Sequence, residues 1–323
     1  MSSEFGDREI LRTKNSKLTT LQLCRVMMAS FKSGFISILG RPNVGKSTLF
    51  NRLLDEKIAI VTQKPQTTRN RILGIKNVEG GQFIFLDTPG IHKGRTELNR
   101  RMVRTAMASG RDADLLLFLI EASSSLVEEE REMMESLRGV KGIPFLVINK
   151  IDLVRKETLL PMMDQYRKVY PFQKIIPISA TTGEGVDVLL DEIMKSLPES
   201  PPYYPEDMIT DQTERFLASE IIREKVIHQS YQEIPYSTAV TIEEFKEHPE
   251  KNLVVIKGTV HVERDSQKKI LIGKGGQKLK SIGEMARKEL EAFLGSRVYL
   301  ELWVNVERDW TRNPRALNRL GYQ

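Results

Sequence analysis

At 323 residues the chain is long for one domain and suits two, and 40% hydrophobic with 7% aromatic content is typical of a water-soluble globular protein. No run reaches the roughly 18–20 apolar residues of a membrane-crossing helix, and a lone cysteine, Cys24, precludes an intramolecular disulfide and fits a reducing, cytoplasmic setting. A net charge of +6, from 49 basic against 43 acidic residues, favours a polyanionic partner, while the four histidines lack metal-ligand spacing.

Residues 1–33 show no useful apolar periodicity and read as a disordered or expression-derived extension, with Met27-Met28 a natural start. From residue 34, short apolar runs alternate with helix-length segments, the pattern of βαβ units. Strands are predicted at 35–39, 115–120, 144–148 and 174–178. A further pair, 71–78 and 82–86, flanks the Glu79-Gly80-Gly81 turn and forms a hairpin. The expectation for 34–197 is an α/β domain with a mixed, mostly parallel sheet and helices on both faces. Four prolines within 198–205 stop both helix and sheet, so 198–207 is read as a linker. Beyond it, 208–323 reads as a helix (211–230), two strands (237–246, 252–263), a short helix, a glycine turn, a longer helix (277–294) and a strand (297–306). That is an α+β domain of order α-β-β-α-α-β, with a C-terminal tail.

Gly40-Arg41-Pro42-Asn43-Val44-Gly45-Lys46-Ser47 fits G-x-x-x-x-G-K-S between a predicted strand and helix, with Thr48 following. Its amides can close around α and β phosphates, Lys46 can reach the β and γ phosphates, and the Ser47 hydroxyl can bind Mg²⁺. Asp87-Thr88-Pro89-Gly90 follows the strand ending at residue 86, so Asp87 can hold the same ion through water and the Gly90 amide can meet the γ phosphate. Asn149-Lys150-Ile151-Asp152 follows another strand. The Asp152 carboxylate can accept from guanine N1–H and the 2-amino group, which adenine does not offer. Asn149 would brace the loop and the Lys150 stem cover the base. After the next strand, a backbone N–H of Ile178-Ser179-Ala180 can donate to guanine O6.

These four elements resemble the guanine-nucleotide motifs of the translation-factor-related P-loop GTPases. Gln66-Thr67-Thr68-Arg69 resembles the switch I element of the Era-like subgroup, which makes Thr68 the third Mg²⁺ ligand with Ser47 and Asp87, and Thr67 the fallback. Ile91 occupies the place where Ras-like proteins carry a water-positioning glutamine, and an apolar side chain cannot orient water. Slow intrinsic hydrolysis is therefore expected. The resemblance implies a K⁺ near the phosphates with Asn43 as ligand; the alternative for Asn43 is a side chain tying down its own loop.

In the second region Ile272-Gly273-Lys274-Gly275-Gly276 fits the G-x-x-G loop of KH domains. Lys268, Lys269, Lys274, Lys278 and Lys280 fall within thirteen residues that contain no acid. With the element order, this resembles a type II KH fold, and the whole chain from about residue 34 is similar to the Era family of ribosome-assembly GTPases. That resemblance implies GTP and GDP as ligands and binding to the 3′ end of 16S ribosomal RNA in the 30S subunit. It also implies a role in maturation of that subunit and a peripheral fraction at the inner membrane; a monomer is expected. Two departures stand out: the extension before the first strand, and Glu121 in place of a more usual aspartate, expected to leave nucleotide binding unchanged. Rival readings are an RNA-binding scaffold that needs no GTP turnover, and a GTPase of the same class acting on tRNA or in membrane transport.

Overall fold

The computed structural model describes residues 31–91, 96–122, 126–231 and 233–322. The extension at 1–30, with Cys24 and Met27-Met28, lies outside the described residues, as does His92.

Six strands, β1 (Lys32–Gly40), β2 (Ile72–Val78), β3 (Gly81–Asp87), β4 (Leu115–Glu121), β5 (Ile143–Asn149) and β6 (Lys174–Pro177), form one sheet in the order β2-β3-β1-β4-β5-β6. Only β2 runs antiparallel, through the expected hairpin with β3. Strand alternation sorts the apolar runs between two faces. Leu115, Leu117 and Leu119 share a core with α1 (Lys46–Leu54), whereas Leu116, Phe118 and Ile120 pack beneath α2 (Glu97–Arg111), α3 (Glu128–Ser136) and α4 (Leu159–Val169). Helix α5 (Val186–Ser196) buries Leu189 and Ile193 on the α1 side. Each such buried Leu, Ile or Phe contributes roughly 1.5–3 kcal/mol. Because β1 continues to β3 on one side and β4 on the other, the strand order switches at β1, and a crevice opens at the carboxyl ends there.

The proline-rich stretch is not a loose tether. It lies along the β2–β3 hairpin, where Gln82 Oε1 accepts from the amides of Tyr203 and Tyr204 at 2.8 and 3.0 Å. Ile75 N donates to Ile209 O at 2.7 Å and the Thr210 hydroxyl to Leu73 O at 2.6 Å. Tyr204 and Met208 cover the apolar patch of Leu73, Ile75, Ile84 and Leu86.

The second region comprises α6 (Glu214–His228), β7 (Ala239–His248), β8 (Leu253–Val262), α7 (Asp265–Ile272), α8 (Gln277–Leu294) and β9 (Arg297–Val306), the predicted α-β-β-α-α-β order. The Thr213 hydroxyl caps α6 by accepting from Phe216 N. The sheet runs β7-β8-β9, with β8 and β9 parallel, and α6 and α8 pack on one face. Two short elements at the C-terminal end were not foreseen. A 3₁₀ turn (Trp310–Arg312) and α9 (Pro314–Arg319) fold the expected tail back, and Trp310, Leu317, Leu320 and Tyr322 pack on Leu98 and Met102 of α2.

Candidate functional site

Gly40 ends β1 with φ 151°, and a Cβ there would sit 2.5 Å from Leu119 O, so this turn admits only glycine. Asn43 and Gly45 also take positive φ, 66° and 97°, and the chain enters α1 at Lys46 with its first-turn amides opening on the crevice. The Lys46 ammonium, almost wholly buried, donates to Gly40 O and Arg41 O at 3.1 and 2.8 Å. Burial lowers its pKa to about 8, against the opposing pull of Asp87.

Three oxygens converge beside it. Ser47 Oγ lies 2.8 Å from Thr68 Oγ1 and 2.8 Å from Asp87 Oδ2, and Thr68 Oγ1 donates to Asp87 Oδ2 at 3.3 Å. Asp87 is fully buried, which pushes its carboxyl up to about 6 although Ser47, Lys46 and Thr68 favour the charge. Its second oxygen, Oδ1, has no hydrogen-bond partner among the described residues. Two hydroxyls and an under-bonded carboxylate fit a hard divalent cation such as Mg²⁺. The fallback Thr67 is elsewhere engaged, with Thr62 Oγ1 and Lys64 O each at 2.7 Å.

Asn149 ties the other loops to this cradle. Its Nδ2 donates to Val44 O at 2.8 Å and its Oδ1 accepts from Ala180 N at 2.9 Å. Of the 178–180 amides expected to serve guanine O6, that of Ala180 meets Asn149 Oδ1, that of Ser179 donates to Glu184 O and that of Ile178 to Ile148 O. Ile151 is buried and its N–H donates to Ile178 O, while Asp152 stands exposed on the 3₁₀ turn Ile151–Leu153. Glu121 pairs at 3.0 Å with Lys150, whose side chain lines the cleft.

The cleft, about 390 Å³, is lined by Pro42, Asn43, Gly45, Lys46, Ser47, Thr48, Gly90 and Lys150 together with the Thr67-Thr68 segment. Several sequence candidates serve it from behind. Arg41 turns away toward Glu130, 3.7 Å distant, Val44 sits in the core, and the Thr88 hydroxyl donates to Ile38 O at 2.6 Å. Pro89 is buried, and a Cβ on Gly90 would meet Pro42 N at 2.9 Å, so glycine permits the two loops to touch. Ile91 packs into the core beneath α2. Asn43 does not tie down its own loop, since its Nδ2 donates to Gln63 O at 3.0 Å. Sequence reasoning missed the cleft wall at 60–64 and His228, which comes from α6 of the second region. A distant helix end leaves no local sequence signal.

In the second region Gly273, Gly275 and Gly276 all take positive φ, 73°, 58° and 79°, between α7 and α8. Lys269, Lys274 and Lys280 are exposed and Lys268 and Lys278 half-buried, and none of the five enters an ion pair among the described residues. Ile272 packs partly into the core. A groove of about 420 Å³ runs from Gly276 along Leu279, Lys280, Gly283 and Arg287 of α8 against Leu300 and Leu302 of β9. Its floor was not predicted.

Residues 35–150 match the family described as 50S ribosome-binding GTPase, and 233–311 match the KH domain. The GTPase Era of Syntrophus aciditrophicus is 56% identical over 299 residues, covering 93% of this chain and 97% of that protein. A crystal structure of Era in complex with MgGDPNP and nucleotides 1506–1542 of 16S ribosomal RNA is 45% identical, covers 90% of this chain and 99% of its own, and superposes with TM-score 0.88. A single-residue variant of Aquifex aeolicus Era bound to GDP.AlF4⁻ has the same identity, coverage and TM-score. With relatives of such identity spanning nearly its whole described length, the chain belongs to the Era family of GTPases.

Proposed function

We propose that this GTPase is a switch that binds the 3′ region of small-subunit 16S ribosomal RNA through residues 208–323 and acts in maturation of the 30S subunit. Residues 34–197 form the nucleotide domain and 198–207 the connection. The observation that carries the reading is the pairing, on one chain, of a phosphate cradle with a glycine loop in and beside which five lysines lack acidic partners among the described residues. The RNA held by the solved relative supports the choice of polyanion.

In hydrolysis a water oxygen forms a bond to the γ phosphorus as the bond to the β–γ bridging oxygen breaks, giving GDP and phosphate. Mg²⁺, held by Ser47, Thr68 and Asp87, neutralises charge on the phosphate oxygens when bound. Lys46 and the Gly90 amide meet the oxygens whose charge grows, and Asp152 selects guanine. Ile91 leaves water-positioning to other groups, and Asn43 Oδ1 is the side-chain ligand offered to K⁺. The protein acts as a monomer in the cytoplasm, with a peripheral fraction at the inner membrane; no helix among the described residues is long and apolar enough to cross one.

GTP turnover measured with and without small-subunit 3′-terminal RNA tests the switch. Stimulation by that RNA, and none by an unrelated RNA of equal length and charge, is expected. Equal turnover in all three conditions would refute it.

A further inference from the structure

The segment carrying Thr68 is held from behind by the second domain. Val61 N donates to Glu224 Oε1 at 3.0 Å, and Thr67 O accepts from Arg223 Nη2 at 2.6 Å. Neither partner is a casual surface contact. Arg223 is 1% exposed and bidentate to Glu220 at 2.8 and 2.6 Å, and Glu224 is also paired with Lys57 at 2.8 Å.

The residue after Thr68 goes further. Arg69 is 4% exposed although it belongs to a loop, and its guanidinium enters a socket built entirely from residues beyond 230. Nη1 donates to Thr238 O at 2.6 Å and to the Tyr322 hydroxyl at 3.2 Å; Nη2 donates to Pro235 O and Tyr236 O at 3.0 and 2.9 Å. The stacked rings of Trp310 and Tyr322 lie 5.7 and 5.6 Å from its central carbon. This is a socket for a planar, five-donor cation, and lysine cannot fill it. The fold-back also meets the nucleotide domain by a second route, because Arg101 of α2 donates to the backbone carbonyl of Tyr322 at 2.5 Å.

We propose that Arg69 is a positioning residue: seated between the carbonyls of 235–238 and the Trp310–Tyr322 pair, it holds the Thr68 hydroxyl in the metal site. By the same contact, the second domain senses whether Thr68 is engaged. The two neighbouring side chains are engaged on different partners, Thr68 with Ser47 and Arg69 with Thr238. One peptide therefore places Thr68 on the Ser47–Asp87 oxygens and Arg69 in the socket. Retreat of Thr68 from the metal withdraws Arg69, and the socket then loses a charge, its hydrogen bonds and the cation that lies against both rings. The C-terminal fold-back at 310–322 is thus a sensor of the nucleotide site. The proposal rests on the switch reading above for its link to RNA, while the Arg69–Thr68 linkage stands independently of it.

The test uses the full-length chain in single-turnover GTP hydrolysis, with Mg²⁺ titrated and GDP affinity measured in parallel. Arg69→Ala is expected to lower the hydrolysis rate by roughly tenfold or more, as loss of charge-assisted bonds at one remove from the reacting centre implies. It should raise the Mg²⁺ concentration for half-maximal rate and leave GDP affinity within about twofold, since Thr68 serves only the triphosphate state. Arg69→Lys should not rescue. Thr68→Ala should give the same profile, and the double variant should be no slower than the slower single one, the signature of residues acting as a unit. Tyr322→Phe, which removes one hydroxyl and keeps the ring, should show the Mg²⁺ shift in milder form and guards against misfolding of the Arg69 variants. Parental Mg²⁺ dependence in folded Arg69→Ala, or additive losses in the double variant, would overturn the proposal. If RNA fails to stimulate the parent protein the switch reading falls, whereas the shared Mg²⁺ shift and non-additivity would still establish the linkage.

Discussion

Asn149→Ala tests whether one amide side chain holds the nucleotide site together. The substitution strands two buried groups, Val44 O and Ala180 N, that now meet Asn149 at 2.8 and 2.9 Å. Each costs roughly 1–3 kcal/mol when left unpaired, so the folded state loses about 2–6 kcal/mol before water entry offsets part of it. The loss falls on the P-loop and the 178–180 loop, which must be brought back to register for nucleotide to bind. If about 1.4–4 kcal/mol of it appears in binding, GDP affinity drops by roughly 10- to 1,000-fold. GDP is the ligand to titrate, because it reports the cradle and base loops without the Thr68 segment. A fluorescent GDP analogue in saturating Mg²⁺ gives the affinity, and a denaturant midpoint without nucleotide gives the accompanying loss of stability. A folded variant with GDP affinity within about twofold of the parent would show that the loops hold their places without Asn149.

Asp152→Asn should shift preference from guanine toward xanthine nucleotides, because the amide can donate to a 2-oxo group where the carboxylate only accepts; competition binding with GTP and XTP decides it. Asn43→Ala should reduce the ratio of turnover in K⁺ to turnover in Na⁺ and leave GDP binding largely intact, and a parent protein equally active in both salts would remove the basis for this. Gly275→Asp should abolish binding of 16S 3′-terminal RNA, as it places a negative charge amid the lysines. Apart from its chain neighbours, no heavy atom of the described residues lies within 4 Å of a Cβ at Gly275, and its φ of 58° is one that aspartate tolerates, so the variant should fold and keep basal GTP hydrolysis. Undiminished RNA binding by that variant in a filter-binding titration would move the RNA surface elsewhere.

What could be read from the sequence followed from local rules. Gly40, Gly45 and Lys46 stand where a strand gives way to a helix, and that context suffices to place a phosphate cradle. The two faces of the sheet follow from alternation along 115–120, and the second domain's element order from its turns and periods. Choosing Thr68 over Thr67 could be ventured from resemblance but needed coordinates, because both are hydroxyls on one loop and only packing turns one inward. The seat of Arg69 was invisible for another reason. Its partners lie 166–253 positions away and three of the four are backbone carbonyls, which carry no residue identity. The Glu121–Lys150 pair could not be read from the sequence because the two residues are adjacent only through the parallel pairing of β4 and β5. The fold-back at 310–322 was read as a tail because Trp310, Leu317 and Tyr322 find their apolar contacts on another domain.

The path of residues 203–210 over the hairpin bears on how the protein avoids associating with itself. β2 is the outermost strand of its sheet, and a bare outermost strand offers its free amides and carbonyls to another copy. Here Leu73 O and Ile75 N are already taken by Thr210 and Ile209, and the apolar patch beside them is roofed by Tyr204 and Met208. Proline in the covering segment cannot donate to a further strand, so the cover does not itself become a new template. A nucleotide domain cut at Leu197 would lose both the cover and the roof, and so aggregate, whereas one carried through Thr210 would keep them. The stretch that joins the two domains thereby also serves as the nucleotide domain's guard against fibrous or sheet-to-sheet assembly.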